Sequence, residues 1–374
     1  MSDNMKIAFF INTPAHVHFH KYTIRELERR GHTVLVLARN YGDTLKLLEE
    51  LGFKYFMYSD VPDSKYGKII DFPFSVLSAF KHLRKQKPDL LIGIGLYSTY
   101  TSLFLRKPCV IFTDSEPTNF QFMLLKPIVK AIITPSSFKM ELGSKHIKIN
   151  TYKEFAYLHA NYFKPDPSIY ELLGISPDLD FVLLRFNAFD AVHDVGIKGF
   201  TIEDKRTLVR EAERYSKVFI SSELDLPEDL QKYAITIPKH KIHDVIHYAK
   251  MVVADTQTII TEAAVLGTPA VRYNTFAGEN DMGNFVELEK KYHLIHSFND
   301  SQKAINKVIE FVKKPNLKKE WVQKRDHLLA DKIDATKFMV TFIENYPESL
   351  SKALETNKEF ATAGNPVLLQ GDLS

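Results

Sequence analysis

The sequence predicts an α/β protein made of two doubly wound, Rossmann-like domains that face each other across a crevice. Its 374 residues exceed what a single hydrophobic core usually serves, so two domains are expected. In each half of the chain, short apolar runs alternate with helical patterns, which is typical of parallel sheets covered on both faces. Two prolines and several polar residues at 162–168 interrupt the alternation and predict a linker.

The first half of the chain predicts six strands separated by helices. Its apolar runs place strands at residues 6–11, 33–38, 54–58, 89–94, 109–113 and 131–134. Helical patterns predict helices at residues 17–30, 44–51 and 70–86, and Gly31 and Gly52 end the first two. Ligands bind beyond the carboxyl ends of the strands in such sheets, so we expect site residues in the loops that follow strands.

The second half repeats this plan without a detectable sequence repeat. Strands are predicted at residues 181–186, 218–221, 251–254 and 269–273. Helices are predicted at residues 203–214, 241–250, 259–266, 304–312, 318–329 and 335–345. From residue 346 onward the sequence lacks periodicity and predicts a loosely ordered tail. The predicted domains are therefore residues 1–160 and 161–330.

The composition is that of an ordinary globular protein, with 45% apolar and 25% charged residues. A net charge of +3 is too small to indicate nucleic acid, and it fits an anionic small molecule or a weak attraction to an anionic membrane equally well. With Cys109 as the single cysteine, no disulfide forms within the chain, which suits a reducing cytoplasm. No apolar stretch approaches the roughly 18 residues of a membrane span. We expect a cytoplasmic protein, with peripheral contact at the inner face of the membrane left open.

Residues 251–272 carry the most informative pattern for a binding site. An apolar strand ends at Asp255, and a helix follows that is closed by Gly267. The polar residues between them are placed to cap this helix: Thr256, Gln257 and Thr258. The N-terminus of a helix presents unpaired N–H groups, which suit a diphosphate. Glu262 lies one turn further in, where its two oxygens can bind a ribose diol, although a capped helix with a solvated glutamate explains the pattern equally well.

This segment resembles the nucleotide-binding segment of GT-B enzymes, a group that includes MurG and the UDP-N-acetylglucosamine 2-epimerases. The resemblance implies that Glu262 binds the ribose hydroxyls, that the polar cap faces the diphosphate, and that a helix at 331–345 returns to the first domain. Motifs at residues 14–19, 184–196 and 237–244 most resemble an uncharacterised bacterial and archaeal family of GT-B-like proteins, known only as a domain of unknown function.

His16, in the loop after the first strand, is the first candidate for a catalytic base. Pro14 and a helix beginning near Val17 place it at the mouth of that helix, facing the crevice. Histidine titrates near neutrality, so a histidine here is suited to remove a proton from an acceptor hydroxyl. His20 shares a helix face with His16, but no third ligand is evident, so we expect no metal site. Packing is the preferred explanation for His18 and His20.

Asp114 and Glu116 follow another predicted strand and are the other candidates for catalysis. Each can supply acid or base chemistry or bind sugar hydroxyls. A role as N-cap and first-turn charge of the helix after Pro117 explains them at least as well.

Four polar residues at and after the first strand of the second domain are candidates for nucleotide-sugar binding: Arg185, Asn187, His193 and Asp194. An arginine in an apolar strand is costly to bury unless it is paired. Contact with a bound phosphate would explain why an arginine is tolerated at position 185, and so would an ion pair with Asp194 or Asp255. We favour a phosphate or sugar contact because the strand ends converge.

Several histidines and aspartates complete the survey. His240 is expected at the edge of the base pocket, whereas His243 and His247 are expected to be solvated. Asp178 and Asp180 mimic the metal-binding carboxylates of other glycosyltransferases, but they precede a strand and fit a turn. The sequence therefore predicts neither a metal nor a cofactor. The predicted substrate is a nucleotide-sugar, and a UDP-sugar is preferred.

The leading functional hypothesis is a metal-independent glycosyltransferase of cell-surface glycan synthesis. It would move a sugar from the nucleotide, bound mainly by the second domain, to a hydroxyl of a glycan or lipid-linked acceptor on the first. A UDP-sugar 2-epimerase using Asp114 and Glu116 is the alternative enzyme, and a non-catalytic nucleotide-sugar-binding protein is the alternative of another class. Turnover without an acceptor distinguishes the epimerase, and binding without turnover distinguishes the binding protein. Retention or inversion, and the oligomeric state, stay open.

Overall fold

A computed structural model of the chain describes residues 4–60, 65–116, 119–186, 199–222, 225–275, 277–278 and 281–363. Its strands, in chain order, are β1 (Lys6–Ile11), β2 (Thr33–Arg39), β3 (Phe56–Ser59), β4 (Leu90–Gly93), β5 (Cys109–Phe112), β6 (Ala131–Pro135), β7 (His146–Ile149), β8 (Phe181–Phe186), β9 (Lys217–Ser222), β10 (Met251–Ala254), β11 (Ala270–Tyr273) and β12 (Ile295–Phe298). These strands form two separate sheets.

The helices alternate with the strands along most of the chain. In chain order they are α1 (Pro14–Arg29), α2 (Thr44–Glu50), α3 (Lys65–Gln86), α4 (Leu96–Leu105), α5 (Asn119–Leu125), α6 (Phe155–Leu158), α7 (Ile169–Leu172), α8 (Ile202–Glu213), α9 (Glu228–Gln231), α10 (Ile242–Tyr248), α11 (Thr258–Leu266), α12 (Gly283–Lys290), α13 (Ser301–Lys313), α14 (Leu317–Asp331), α15 (Ala335–Glu344) and α16 (Glu348–Ala363). None of the described helices combines the length and apolar character needed to cross a membrane.

The chain divides into two compact units. The first comprises the residues up to Tyr162 together with those from Lys332 onward, and the second is Phe163–Asp331. Each unit is built on one all-parallel sheet, and the two sheets have seven and five strands. This confirms the predicted class of two doubly wound α/β domains.

The first sheet has the strand order β3-β2-β1-β4-β5-β6-β7. Strand β1 lies between β2 and β4, with Ile7 beside Val34 on one side and Leu90 on the other. Because parallel crossovers are right-handed, the reversal of order at β1 puts α1 and α2 on one face and α3, α4 and α5 on the other. Phe9 packs toward His20 of α1, and Phe10 packs toward Tyr58, so both faces of this strand are buried.

Helix α15 returns to the first unit and packs against α1 and α6. Thr336 of α15 donates a hydrogen bond to the backbone oxygen of Ala156 at 2.8 Å, and its hydroxyl lies 3.5 Å from that of Thr23 in α1. The ring of Phe342 meets Phe112 of β5 with a centroid distance of 6.4 Å. The predicted return of the C-terminal helices to the first domain is therefore confirmed.

The second sheet has the strand order β12-β11-β10-β8-β9. Its order reverses at β8, which lies between β10 and β9: Arg185 of β8 pairs with Ala254 on one side and Ser221 on the other. Helices α8 and α13 pack against each other, and α10, α12 and α14 all pack against α11. The loops after β8 and β10 thus lie at the point where doubly wound sheets bind ligands.

Several elements differ from the prediction. Strands β7 and β12 and helices α4 and α12 were not predicted, because their segments are short or lack a clear apolar period. Helix α1 begins at Pro14 rather than near Val17, since proline is favoured in the first turn of a helix. The predicted loose tail is also wrong for Glu348–Ala363, which forms α16. Ser349 of this helix is buried, and its hydroxyl donates to the backbone oxygen of Phe342.

Candidate functional site

A cavity of about 220 Å³ opens at the carboxyl ends of the strands of the first unit. Its walls come from the start of α1, from residues at or just after the carboxyl ends of β4, β5, β6 and β7, and from one face of α15. Three ionisable side chains reach it, and they are His16, Asp114 and Lys153. The rest of the lining is largely apolar, with Phe19, Phe112 and Met339 as its largest members. An apolar cavity with a few convergent polar groups at a switch point is the usual form of a ligand site.

His16 lies in the first turn of α1, with Thr13 as the N-cap residue. Its Nδ1 accepts a hydrogen bond from the backbone N–H of Asn12 at 3.2 Å. The proton of the neutral ring is therefore on Nε2, so the ring can donate a hydrogen bond there. Burial, together with the nearby charge of Lys153, lowers the pKa of His16 to about 3. The ring is neutral at physiological pH, and it is a weak base.

Asp114 is held by Lys153, whose Nζ lies 2.9 Å from the Asp114 carboxylate and 3.8 Å from that of Glu154. Both partners of the shorter pair line the cavity. The sequence pointed to Asp114 but not to Lys153, because Lys153 follows a strand, β7, that was not predicted. Glu116 differs from Asp114: its Oε1 accepts the backbone N–H of Lys139 at 3.0 Å, and it is not among the described residues that line the cavity.

His18 and His20 belong to the packing of α1. His20 is completely buried, with its ring 4.5 Å from that of Phe19 between centroids, and His18 is 7% exposed. In the part of the chain that the structure describes, no group of three histidine, cysteine or carboxylate side chains is placed to hold a metal ion. The preferred packing explanation for His18 and His20 thus agrees with their burial.

The N-terminus of α11 lies at the carboxyl end of β10 in the second unit. Thr258 begins the helix, and Gln257, its N-cap residue, has a helical backbone and makes no capping hydrogen bond with its side chain. The prediction that polar side chains cap this helix is wrong in this respect. The Thr256 hydroxyl is buried and has no hydrogen-bond partner among the described residues. Helix N–H groups and a buried hydroxyl together suit an anionic ligand such as a diphosphate.

Glu262 lies one turn further along α11, and its side chain is 8% exposed. His243 of α10 donates through Nε2 to Glu262 Oε1 at 3.0 Å, and His243 is itself buried. The solvated glutamate that explained the sequence equally well is therefore excluded, and so is the predicted solvation of His243. His247 is half-buried. Its pKa is lowered to about 4, mainly by burial and to a smaller extent by the positive charges of Lys318 and Arg325. The hydrogen bond from His243 thus orients the Glu262 carboxylate near the carboxyl ends of the strands, where such sheets bind ligands.

The remaining predicted residues of the second unit are only partly described. Arg185 donates from Nη1 to Ser221 Oγ at 2.7 Å, and the Asp255 carboxylate accepts the backbone N–H of Phe200 at 3.3 Å. His240 is half-buried in the 3-10 turn Lys239–Lys241. The other three predicted residues lie outside the described residues: Asn187, His193 and Asp194.

Solved structures with the same architecture include sugar transferases and epimerases. Spinosyn forosaminyltransferase SpnP has a TM-score of 0.63 at 11% identity, over 93% of this chain and 100% of its own. The UDP-GlcNAc 2-epimerase of Methanocaldococcus jannaschii has a TM-score of 0.58 at 15% identity, over 83% of this chain and 93% of its own. MurG of Acinetobacter baumannii has a TM-score of 0.55 at 15% identity, over 91% and 99%. At these identities the likeness establishes the fold, which is GT-B.

Fewer proteins are similar to this chain in sequence than in structure. Uncharacterized protein MJ0665 of Methanocaldococcus jannaschii is 22% identical over 322 residues, which are 82% of this chain and 91% of that protein. One family model covers nearly the whole described chain, from residue 5 to residue 346. The chain therefore belongs to the protein family DUF354, whose members are described as proteins of unknown function.

Proposed function

We propose that this protein is a nucleotide-sugar-dependent glycosyltransferase that acts in cell-surface glycan synthesis. The observation that carries the proposal is the buried, oriented carboxylate of Glu262 on α11, next to an N-terminus that suits a diphosphate. A nucleoside diphosphate has the two groups, a ribose diol and a diphosphate, that this arrangement can bind. The GT-B fold, shared with a forosaminyltransferase, supports the same reading.

In this proposal the donor nucleotide binds to the second unit. Glu262 accepts hydrogen bonds from the ribose hydroxyls, while His243 positions its carboxylate. The Thr256 hydroxyl and the first N–H groups of α11 bind the diphosphate. Similarity to a UDP-GlcNAc 2-epimerase favours a UDP-linked sugar as the first donor to test.

The acceptor binds to the cavity of the first unit. The acceptor oxygen forms a bond to the anomeric carbon of the sugar, and the bond from that carbon to the diphosphate breaks. In neutral His16, Nδ1 accepts the Asn12 N–H and Nε2 carries the proton, so neither nitrogen is free to accept another. We therefore assign Asp114 as the base that takes the proton of the acceptor hydroxyl. His16 donates a hydrogen bond to a substrate oxygen through Nε2.

Thermal shifts against a panel of UDP-, GDP- and dTDP-sugars test the proposal. A ligand at about 100 times its dissociation constant stabilises the folded state by roughly 2.7 kcal/mol, so the correct donor class raises the melting temperature measurably. Turnover of that donor is then followed with and without glycan and lipid-linked acceptors. Conversion of the sugar without any acceptor identifies an epimerase instead, and binding without turnover identifies a binding protein.

Glu262→Ala is expected to weaken nucleotide binding by about ten- to a hundredfold, since hydrogen bonds to a charged group contribute roughly 1.5–3 kcal/mol. Glu262→Gln keeps the shape but loses the charge, and its affinity should fall between those of wild type and Glu262→Ala. A 2′-deoxy nucleotide should bind the wild type less well, yet lose little further on Glu262→Ala. Calorimetric titration of both proteins with both nucleotides measures this coupling.

Glu320→Ala is the matched control for this cycle, because it removes an exposed carboxylate from α14 of the same unit. Its nucleotide affinity should equal that of the wild type. If the losses from Glu262→Ala and from the 2′-deoxy nucleotide simply add, the carboxylate does not touch the ribose and the assignment fails.

Turnover should also persist after divalent metals are removed. Asp180, one of the two aspartates that mimic a metal motif, accepts Lys250 Nζ at 2.9 Å at the opposite end of β8 from the site. Donor turnover is measured after dialysis against a chelator and again after addition of magnesium or manganese. Activity that disappears with the chelator and returns with either ion would show that the reaction needs a metal.

A further inference from the structure

Three adjacent helices of the first unit carry large apolar side chains on their outer surface. Helices α3, α4 and α5 lie on one face of the sheet, α4 packs against both of its neighbours, and Phe80 and Phe104 join α3 to α4. Four of the apolar side chains have exposed fractions above one half: Phe74 at 66%, Phe104 at 61%, Phe120 at 70% and Met123 at 71%. Leu77 and Leu103 on the same helices are also exposed. We call this surface the α3–α5 face.

Basic residues are concentrated at one end of the α3–α5 face. The helices run antiparallel to the strands, so their C-terminal ends lie together at the edge of the sheet opposite the cavity. The exposed basic residues at these ends are Lys81, Arg84, Lys85, Lys87, Arg106 and Lys130. The neighbouring carboxylates are engaged locally: Asp71 accepts from Ser59 and Ser75, and Asp89 accepts the backbone N–H of Lys6.

We infer that the α3–α5 face is a docking surface for an anionic lipid membrane. Aromatic and methionine side chains enter the interfacial region of the bilayer, and the basic residues bind lipid phosphates. A second copy of the chain fits less well, because it would bring only the same basic residues to the contact, whereas lipid headgroups bring the phosphates that these residues bind. The inference concerns where the protein works, and it does not depend on the proposed reaction.

Sedimentation of the full chain with lipid vesicles tests this inference. We expect binding to vesicles of phosphatidylcholine mixed with phosphatidylglycerol, weaker binding to phosphatidylcholine alone, and weaker binding at high salt. The double variant Phe120→Ser and Met123→Ser should lower the partition coefficient at least about tenfold. Lys81→Gln with Lys85→Gln should lower binding to the anionic vesicles alone, by about fivefold for each charge removed.

Ile202→Ser is the matched control, since it removes an exposed apolar side chain from α8 of the second unit. It should bind vesicles as the wild type does, and circular dichroism should show that all variants are folded. The inference is overturned if the wild type binds neither vesicle, or if the double variant binds both as well as the wild type does. It is equally overturned if sedimentation velocity shows a dimer that the same double variant dissociates, because the face is then a protein interface.

Discussion

Asp114→Asn is expected to lower kcat for sugar transfer by about 10²- to 10⁴-fold, the usual loss when a positioned base is removed. The substitution keeps the size and planarity of the side chain that lines the cavity, but the amide cannot take a proton from the acceptor. Nucleotide affinity, measured by calorimetry, should be unchanged, because Asp114 belongs to the first unit and the proposed nucleotide site belongs to the second. Steady-state kinetics with the donor found in the ligand panel give kcat and KM separately.

Glu116→Gln is the comparison that makes this result specific. Glu116 lies two residues further along, and its Oε1 accepts the backbone N–H of Lys139. The Glu116→Gln variant should therefore keep kcat near the wild-type value. The opposite result, a large loss with Glu116→Gln and little loss with Asp114→Asn, would move the base to Glu116, and equal activity of both variants would place the base elsewhere.

His16→Ala is expected to lower kcat by about 10²- to 10³-fold, the range found when a preorganised hydrogen-bond donor is removed from an active site. His16→Gln keeps an N–H donor and should recover part of this loss. The pH profile separates a donor from a base. Since the pKa of His16 is about 3, the ring does not gain a proton between about pH 8 and pH 5, and it should produce no fall in kcat/KM over that range.

A different profile would contradict this role. A base with an ordinary histidine pKa would lose activity as the pH falls through about 6.5, and His16→Ala would abolish that limb of the profile. His327→Ala is the matched control, because it removes an exposed histidine from α14 of the second unit. Its kcat and pH profile should be those of the wild type.

Buried strands with continuous apolar runs were predicted well from the sequence. The bounds of β8 and β10 agree with the predicted residues 181–186 and 251–254, because both strands are covered on both faces and contain almost no polar residue. Strand β7 was missed because its four residues include a histidine and a lysine, which hide the apolar signal. Strand β12 was missed for the same reason, since His296 and Ser297 form its middle.

The candidate sites were predicted only in part, and the division has a physical reason. His16, Asp114 and Glu262 could be named as candidates because each follows the end of a predicted strand, which is a local property of the chain. The contacts of Lys153 and His243 were not predicted, because these residues pair with Asp114 and Glu262, which are distant in sequence. Such pairs follow from the packing of loops and helices, and a single sequence carries no local signal for them.

The return of α15 to the first unit has a consequence for the synthesis of the protein. The second unit, Phe163–Asp331, is continuous and can complete its fold as soon as residue 331 has left the ribosome. At that moment the first unit still lacks α15, which supplies buried Phe342 and the cavity-lining Met339. Although N-terminal domains generally fold first during translation, here the unit that starts the chain is the last to be finished. A nascent chain released after residue 331 but before residue 335 would carry a complete second unit and a first-unit cavity that lacks one wall.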